Sequence, residues 1–340
     1  MRGWRPGARA RGPTALPSPR SRRMKREPMG DAEATASTTG PIDARPSRRG
    51  RADSFTARAG PLLPGLFVVL WSTGFVAAKY GLPYAPPLEF LLVRFALVAA
   101  LMAIVTLATR APWPRGARQI AHIAVAAWLV HGVYLGGVFV SIASGMPAGT
   151  SAMLVGLQPI LTVFLARAWL GERISARQWW GLVLGLAGVY FVVRHKIALD
   201  GDLSTLVPIV AALVGISVGT LYQKKYCHHV DLRSGAVIQF VACVALYAPI
   251  VAWLGPRAIA WTPQFVFALG WSVVVLSVGA ISLLYWLLRH GAAADVARLF
   301  YLVPPVTALM AFTLFGERLD ALAIAGMVLI AIAVALARRR

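Results

Sequence analysis

PILTVFLARAWLGER, residues 159–173, returns 145 positions later as PPVTALMAFTLFGER, residues 304–318. The same offset pairs Ser72 with Ser217, Gly74 with Gly219, Lys79 with Lys224, Phe95 with Phe240, Thr162 with Thr307, Glu172 with Glu317 and Gly181 with Gly326. Chance would rarely produce so many identities at one spacing, so the chain carries two copies of one unit. Ten apolar stretches run approximately over 61–80, 88–109, 119–142, 147–170, 177–193, 204–223, 234–254, 264–288, 292–315 and 320–337. Each is near the ~20 residues that cross ~30 Å of hydrocarbon. Lipid offers no partner to an unpaired backbone group, so all are expected to be helical. Five crossings per copy is an odd number, which makes the second copy enter the membrane from the opposite side. The expected fold is an all-α membrane protein with ten transmembrane helices in two inverted five-helix repeats. Such repeats place a binding site between the halves near the bilayer midplane and rock around it.

Composition agrees with this reading. With 58% hydrophobic residues, 14% charged residues and a mean hydropathy of +0.67, the chain is not an ordinary soluble domain. Of the 34 basic and 13 acidic residues, 14 and 5 precede Gly60. Residues 1–60 are rich in Arg, Pro, Gly, Ser and Ala and have almost nothing large and apolar to bury, so a disordered basic tail is expected. It is followed by a first repeat over 61–193 and a second over 204–337. A pI near 11.3 suggests nucleic acid, but the tail lacks interleaved aromatics and the rest is apolar; no nucleic-acid partner is expected. Ser21-Arg22-Arg23-Met24-Lys25 is superficially like a twin-arginine signal, yet no apolar stretch follows within reach, and Met1, Met24 and Met29 are all candidate starts. Cys227, in an expected loop, and Cys243, in a span, suggest neither a disulfide nor a metal site. The lack of Asn and the preference for Arg over Lys fit a GC-rich bacterial gene.

Basic residues set the expected orientation. Arg110, Arg115 and Arg118 follow span two, Arg173 and Arg177 span four, Lys224, Lys225 and Arg233 span six, and Arg289 span eight. The alternate connections are poorer, with none in 142–147 and only Arg257 in 255–263, although Arg194 and Lys196 weaken the contrast after span five. Both termini, including Arg338, Arg339 and Arg340, are therefore expected in the cytoplasm of a cell whose inner membrane holds the chain.

Three signatures carry a family resemblance. Trp71-Ser72-Thr73-Gly74-Phe75-Val76-Ala77-Ala78-Lys79 opens the first repeat, Pro87 precedes Arg94-Phe95, and Pro159 leads to Leu170-Gly171-Glu172-Arg173; Pro304 to Arg318 repeats the last. Over about residues 61–337 the chain resembles the EamA branch of the drug/metabolite transporter superfamily. The resemblance implies ten helices in two inverted repeats, export of amino acids or other metabolites, often coupled to protons, and a cavity lined by helices three, four, eight and nine. One departure is Gln239, which stands where a repeated Arg94 would fall.

Positions at which the halves differ are the better candidates for substrate chemistry. Arg94 lies about 10 Å into span two at ~1.5 Å per residue, so it faces protein or a wet cavity unless it snorkels outward; a structural and a substrate-binding role both fit. Arg298 replaces Met153 of the first copy, with Asp295 and Tyr301 on its helical face. An arginine beside an aromatic suits a carboxylate-bearing solute; an interfacial ion pair is the alternative. His131, with Trp128 and Tyr134 one turn away, has the chemistry of a proton carrier or of a packing residue. Gln158 adds a polar group beside Pro159, and Tyr285 and Trp286 suit either a cavity wall or a lipid interface. Gly171-Glu172-Arg173 and Gly316-Glu317-Arg318 suit helix caps with interfacial Glu–Arg pairs, or a gate. G-x-x-x-G pairs at Gly132/Gly136, Gly181/Gly185 and Gly215/Gly219 fit packing within the chain or an oligomer contact.

No HExxH motif, metal-ligand cluster or phosphate-cradling loop occurs in the expected loops, so no enzyme, cofactor or metal is expected. The G-x-S-x-G at Gly215 lies within an apolar helix and lacks the strand-to-helix turn such a nucleophile needs. The main reading is a carrier that exports a small metabolite, amino-acid-like or otherwise carboxylate-bearing, by alternating access, with the proton as candidate coupling ion. Its rivals are efflux of lipophilic cations, for which Glu89 lies too near the outer interface, and a non-transporting membrane enzyme or scaffold.

Overall fold

The computed structural model describes residues 62–170, 175–200, 206–227, 230–290, 299–317 and 321–336. The expected tail, Gly171, Glu172, Arg173, Arg298 and Arg318 lie outside the described residues. In chain order the helices are α1 (Leu63–Gly81), α2 (Pro87–Ala108), α3 (Ala117–Ala143), α4 (Ala148–Trp169), α5 (Ala176–Asp200), α6 (Leu206–Tyr226), α7 (Leu232–Leu254), α8 (Pro263–Leu284, continuing to His290), α9 (Phe300–Phe315) and α10 (Ala321–Leu336). Among the described residues seven of them, α1 to α4 and α6 to α8, are long and apolar enough to cross a membrane. α5 outruns the expected end at residue 193 and continues to Asp200, since neither glycine nor proline stands between residues 189 and 200.

The circumference is apolar, with Leu62, Ile104, Leu107, Val207, Leu186 and Leu309 all outward-facing. An exposed apolar surface of that extent is out of place in water and ordinary against lipid. Inside, Phe90 meets Phe139 and Phe265 edge-on at ring-centroid distances of 5.2 and 5.1 Å, and all three are fully buried. Such tilted aromatic contacts add to the packing that holds apolar helices together. Gly132 and Gly136 face α7, Gly215 and Gly219 face α3, and Gly185 faces α4, so these glycines serve close approach within the chain.

Both copies bend at equivalent places. α4 is interrupted between Ala148–Val155 and Gln158–Leu170, and 145 positions later a single 3-10 turn, Phe300–Leu302, precedes Val303–Phe315. Pro159 and Pro304 account for both, since proline has no N–H to donate and crowds the preceding turn. α3 and α8 widen to π-helical winding over Trp128–Val133 and Trp271–Ala280, again equivalent stretches.

Equivalent residues also meet each other. Phe95 packs on Phe240 at 6.0 Å between ring centroids, where α2 lies along α7. Glu89 Oε1 accepts the backbone N–H of Arg257 at 3.1 Å, while its equivalent Ser234 donates its hydroxyl to the carbonyl of Pro112, the equivalent of Arg257, at 2.6 Å. The polarity reverses because Pro112 offers an acceptor but no donor.

Helix ends follow local chemistry. Asp231 caps α7 by accepting from the N–H of Arg233 at 2.9 Å. Its carboxyl is held below the usual carboxylate range, first by the side-chain bond from the Arg233 guanidinium. At the end of α9, Gly316 takes φ +65°, a left-handed cap that favours glycine; its own N–H reaches the Phe312 carbonyl at 3.0 Å.

Candidate functional site

A cavity of about 160 Å³ opens between α1, α2, α3, α6, α7 and α8, so both copies contribute walls. That volume is below the ~300–1,000 Å³ of pockets for drug-sized ligands and fits a small metabolite. Both π-wound segments reach it, through Val130 and His131 on α3 and Leu276, Ser277 and Ala280 on α8. Wide turns disturb the regular backbone ladder and leave carbonyls to be satisfied by side chains. Here Tyr247 Oη donates to Gly132 O at 2.8 Å, Cys243 Sγ to Ala127 O at 3.5 Å, and Ser277 Oγ to Ser272 O at 3.0 Å. The cavity wall is thereby fixed by bonds from α7 and from α8 itself.

The lining is apolar and aromatic, including Trp71, Phe75, Phe139 and Phe240, with Arg94, His131, Tyr134 and Ser277 as its polar members. Arg94 is 7% exposed, its Nε makes no hydrogen bond, and no carboxylate among the described residues pairs with it. It interacts electrostatically with Tyr134 and His131. His131 stacks on Phe240 at 4.8 Å and donates from Nε2 to Gln239 Oε1 at 3.3 Å. Arg94 and its equivalent Gln239 thus converge through His131 on one place. A buried guanidinium without an anion is costly, and the cavity before it is where an anion lowers that cost.

One end of the helix bundle is fastened beside this cavity. Glu317, after the α9 cap, accepts from Lys79 Nζ of α1 and from the backbone N–H groups of Ala148 at 3.0 Å and Gly149 at 3.4 Å. The carboxylate sits at the N-terminus of α4, where the helix dipole favours negative charge, and Lys79 also lies 5.1 Å over the Phe315 ring. Among the described residues Glu317 pairs across the fold with Lys79, where α1 and α9 end and α4 begins; Arg318, its expected partner, lies outside them.

Of the residues singled out from sequence, Arg94, His131 and Tyr134 line the cavity. Trp128 does not; the wide turn swings it to the surface, where its Nε1 donates to Ala242 O at 2.9 Å. Gln158 Nε2 instead donates to Thr220 Oγ1 at 3.1 Å and ties α4 to α6. Tyr301 and Pro304 line a separate apolar crevice of about 270 Å³ with Met153, Gly156 and Ile330. Trp71, Phe75 and Ser277 are the lining members that sequence reasoning passed over, and Gln239 is tied to the wall through His131. The repeat offset carried the signal for Gln239, which stands 145 positions from Arg94.

Residues 59–194 and residues 203–339 each match the EamA-like transporter family. The chain is 27% identical over 285 residues to the "Uncharacterized transporter YvbV" of Bacillus subtilis, spanning 81% of this chain and 90% of that protein. It is 28% identical over 299 residues to the "Probable amino-acid metabolite efflux pump" of Salmonella typhimurium, spanning 81% and 93%. It is 27% identical over 287 residues to the "Probable terminal-alkyne amino-acid exporter" of Streptantibioticus cattleyicolor, spanning 81% and 92%. A protein crystal structure with 18% identity superposes with a TM-score of 0.56 over 82% of this chain and 97% of the other, a likeness of fold.

Proposed function

Because the chain belongs to the EamA-like transporter family, and is a membrane transporter rather than an enzyme, we propose that it exports a small carboxylate-bearing metabolite, amino-acid-like or related, by alternating access. The observation that carries this reading is Arg94, buried, without a carboxylate partner among the described residues, and facing a small cavity between the two copies. A solute carboxylate there would accept from the guanidinium, with Tyr134 beside it. The names of the relatives support the amino-acid-like class and the outward direction.

The reading includes ten crossings in two inverted repeats, with both termini in the cytoplasm of a bacterial inner membrane. Reciprocal contacts support the arrangement: the bond from Arg257 to Glu89 and the bond from Ser234 to Pro112 exchange equivalents, and Phe95 meets its own equivalent Phe240. Contacts that interchange in this way belong to a two-fold relation, and five crossings per copy turn that relation into an inversion. Efflux of lipophilic cations fits poorly, since the charged group described in the cavity wall is itself a cation.

The test is efflux and counterflow of a labelled metabolite panel in proteoliposomes, with and without a proton gradient. Carboxylate-bearing solutes are expected to move, and Arg94→Gln to lower their rate at least tenfold. If no solute moves under any gradient, the carrier reading fails. His131→Gln under the same conditions reports on coupling: a flattened pH profile assigns the proton to His131, and an unaltered one removes it from that role.

A further inference from the structure

Within the carrier reading, on which this inference rests, we infer that the solute is a carboxylate whose α-amino group is missing or masked, such as a 2-oxo, 2-hydroxy or N-acyl acid with a short apolar tail, rather than a free zwitterionic amino acid. A zwitterion brings an ammonium as well as a carboxylate, and burying that second charge is strongly disfavoured unless an anion pairs with it. The described cavity wall offers it neutral acceptors only, the hydroxyl oxygens of Tyr134 and Ser277 and the second ring nitrogen of His131, and no carboxylate.

Carboxylates that would balance an ammonium are committed elsewhere among the described residues. Glu89 bonds the Arg257 backbone at the mouth between α2 and α7, Glu317 is held by Lys79, Ala148 and Gly149, and Asp231 is held by Arg233. Among the described residues the charged group in the cavity wall is Arg94, which attracts the carboxylate end of a solute and repels an ammonium brought in beside it. The remaining wall, with Trp71, Phe75, Val138, Phe139 and Leu276, suits an apolar tail.

Leucine and 4-methyl-2-oxopentanoate share a carboxylate and a tail and differ at the α-carbon, an ammonium in one and a carbonyl in the other, so they make the direct comparison. In counterflow with the full chain in proteoliposomes, the oxo acid is expected to move at least tenfold faster than leucine at equal concentration. Arg94→Lys, which keeps the charge, should retain the preference at a lower rate, while Arg94→Gln should abolish it. Ser277→Asp places a carboxylate in the wall and should narrow the gap in favour of leucine. Leucine moving as fast as the oxo acid overturns the amine-free assignment while the carrier reading stands. Neither solute moving, in vesicles where no other carboxylate moves, overturns both.

Discussion

The interface of α3 with α6 and the interface of α1 with α8 are equivalent pairs in the two copies, yet one is closed and the other gapes. A Cβ on Gly219 of α6 would lie 2.7 Å from Val130 Cγ2, 2.8 Å from Leu129 Cβ and 3.1 Å from Val130 N, so the bare α6 backbone lies directly against α3. At the equivalent Gly74 of α1 the nearest atom is Leu276 Cδ1 at 3.7 Å, ordinary side-chain contact. The room gained on that side is the cavity, where Gly74 and Leu276 both line the wall. The equivalent serines differ in the same sense: Ser217 bonds within its own helix, to Leu213 O at 2.7 Å, while Ser72 reaches across to Val303 O at 3.2 Å and ties α1 to α9. Two copies of one packing design thus hold two different states, and a carrier that alternates would exchange them.

The comparison breaks most sharply at the fastening beside the wide interface. Glu317→Ala leaves Lys79 and two helix N–H groups without their acceptor and is expected to cost about 3 kcal/mol, read as a lower melting temperature in detergent. Lys79→Ala should add little on top of it, because the pair acts as a unit. Full additivity of the two would remove the fastening from the account.

The glycines sharpen it next. Gly219→Ala forces the tight interface apart and should destabilise by about 2 kcal/mol, whereas Gly74→Ala enters ordinary contact and should stay within about 0.5 kcal/mol. Equal effects on thermal stability would mean that the two interfaces are packed alike. The smallest effect lies at the equivalent helix starts, Pro86 for α2 and Asp231 for α7. Only Asp231 titrates. Its carboxyl is depressed in the folded chain, so its capping contribution is present above about pH 4, the usual aspartate range, and is lost as pH falls through the lower folded value. Asp231→Ala should cost about 1 kcal/mol at pH 7, and the difference from the wild type should shrink as pH falls below the usual aspartate range; a constant difference would contradict the cap.

Much of this organisation was legible in the sequence. The 145-residue offset marked both copies, and Pro159 and Pro304 marked where α4 and α9 bend. Arg94, His131 and Tyr134 were visible as polar residues in apolar spans, where an unsatisfied group is expensive and hence informative. Less could be read where the backbone leaves ideal geometry. Trp128 was placed beside His131 by counting α-helical turns, and π winding moved it away. Partners far apart along the chain were invisible too: Glu317 finds Lys79 across 238 positions, although an arginine stands next to it in sequence. Gln239 breaks the match to Arg94, and its place became readable only through its bond to His131 of the cavity wall.

The central claim is that the cavity before Arg94 opens in turn to each side of the membrane and closes over an anion. Ser277→Cys, in a chain whose Cys227 and Cys243 are replaced by serine, places a single thiol in the cavity wall. The account predicts labelling by a membrane-impermeant thiol reagent in both right-side-out and inside-out vesicles, slowed in each by 4-methyl-2-oxopentanoate. Labelling from one side alone, at a rate no carboxylate changes, would make the cavity a blind pocket and contradict the account.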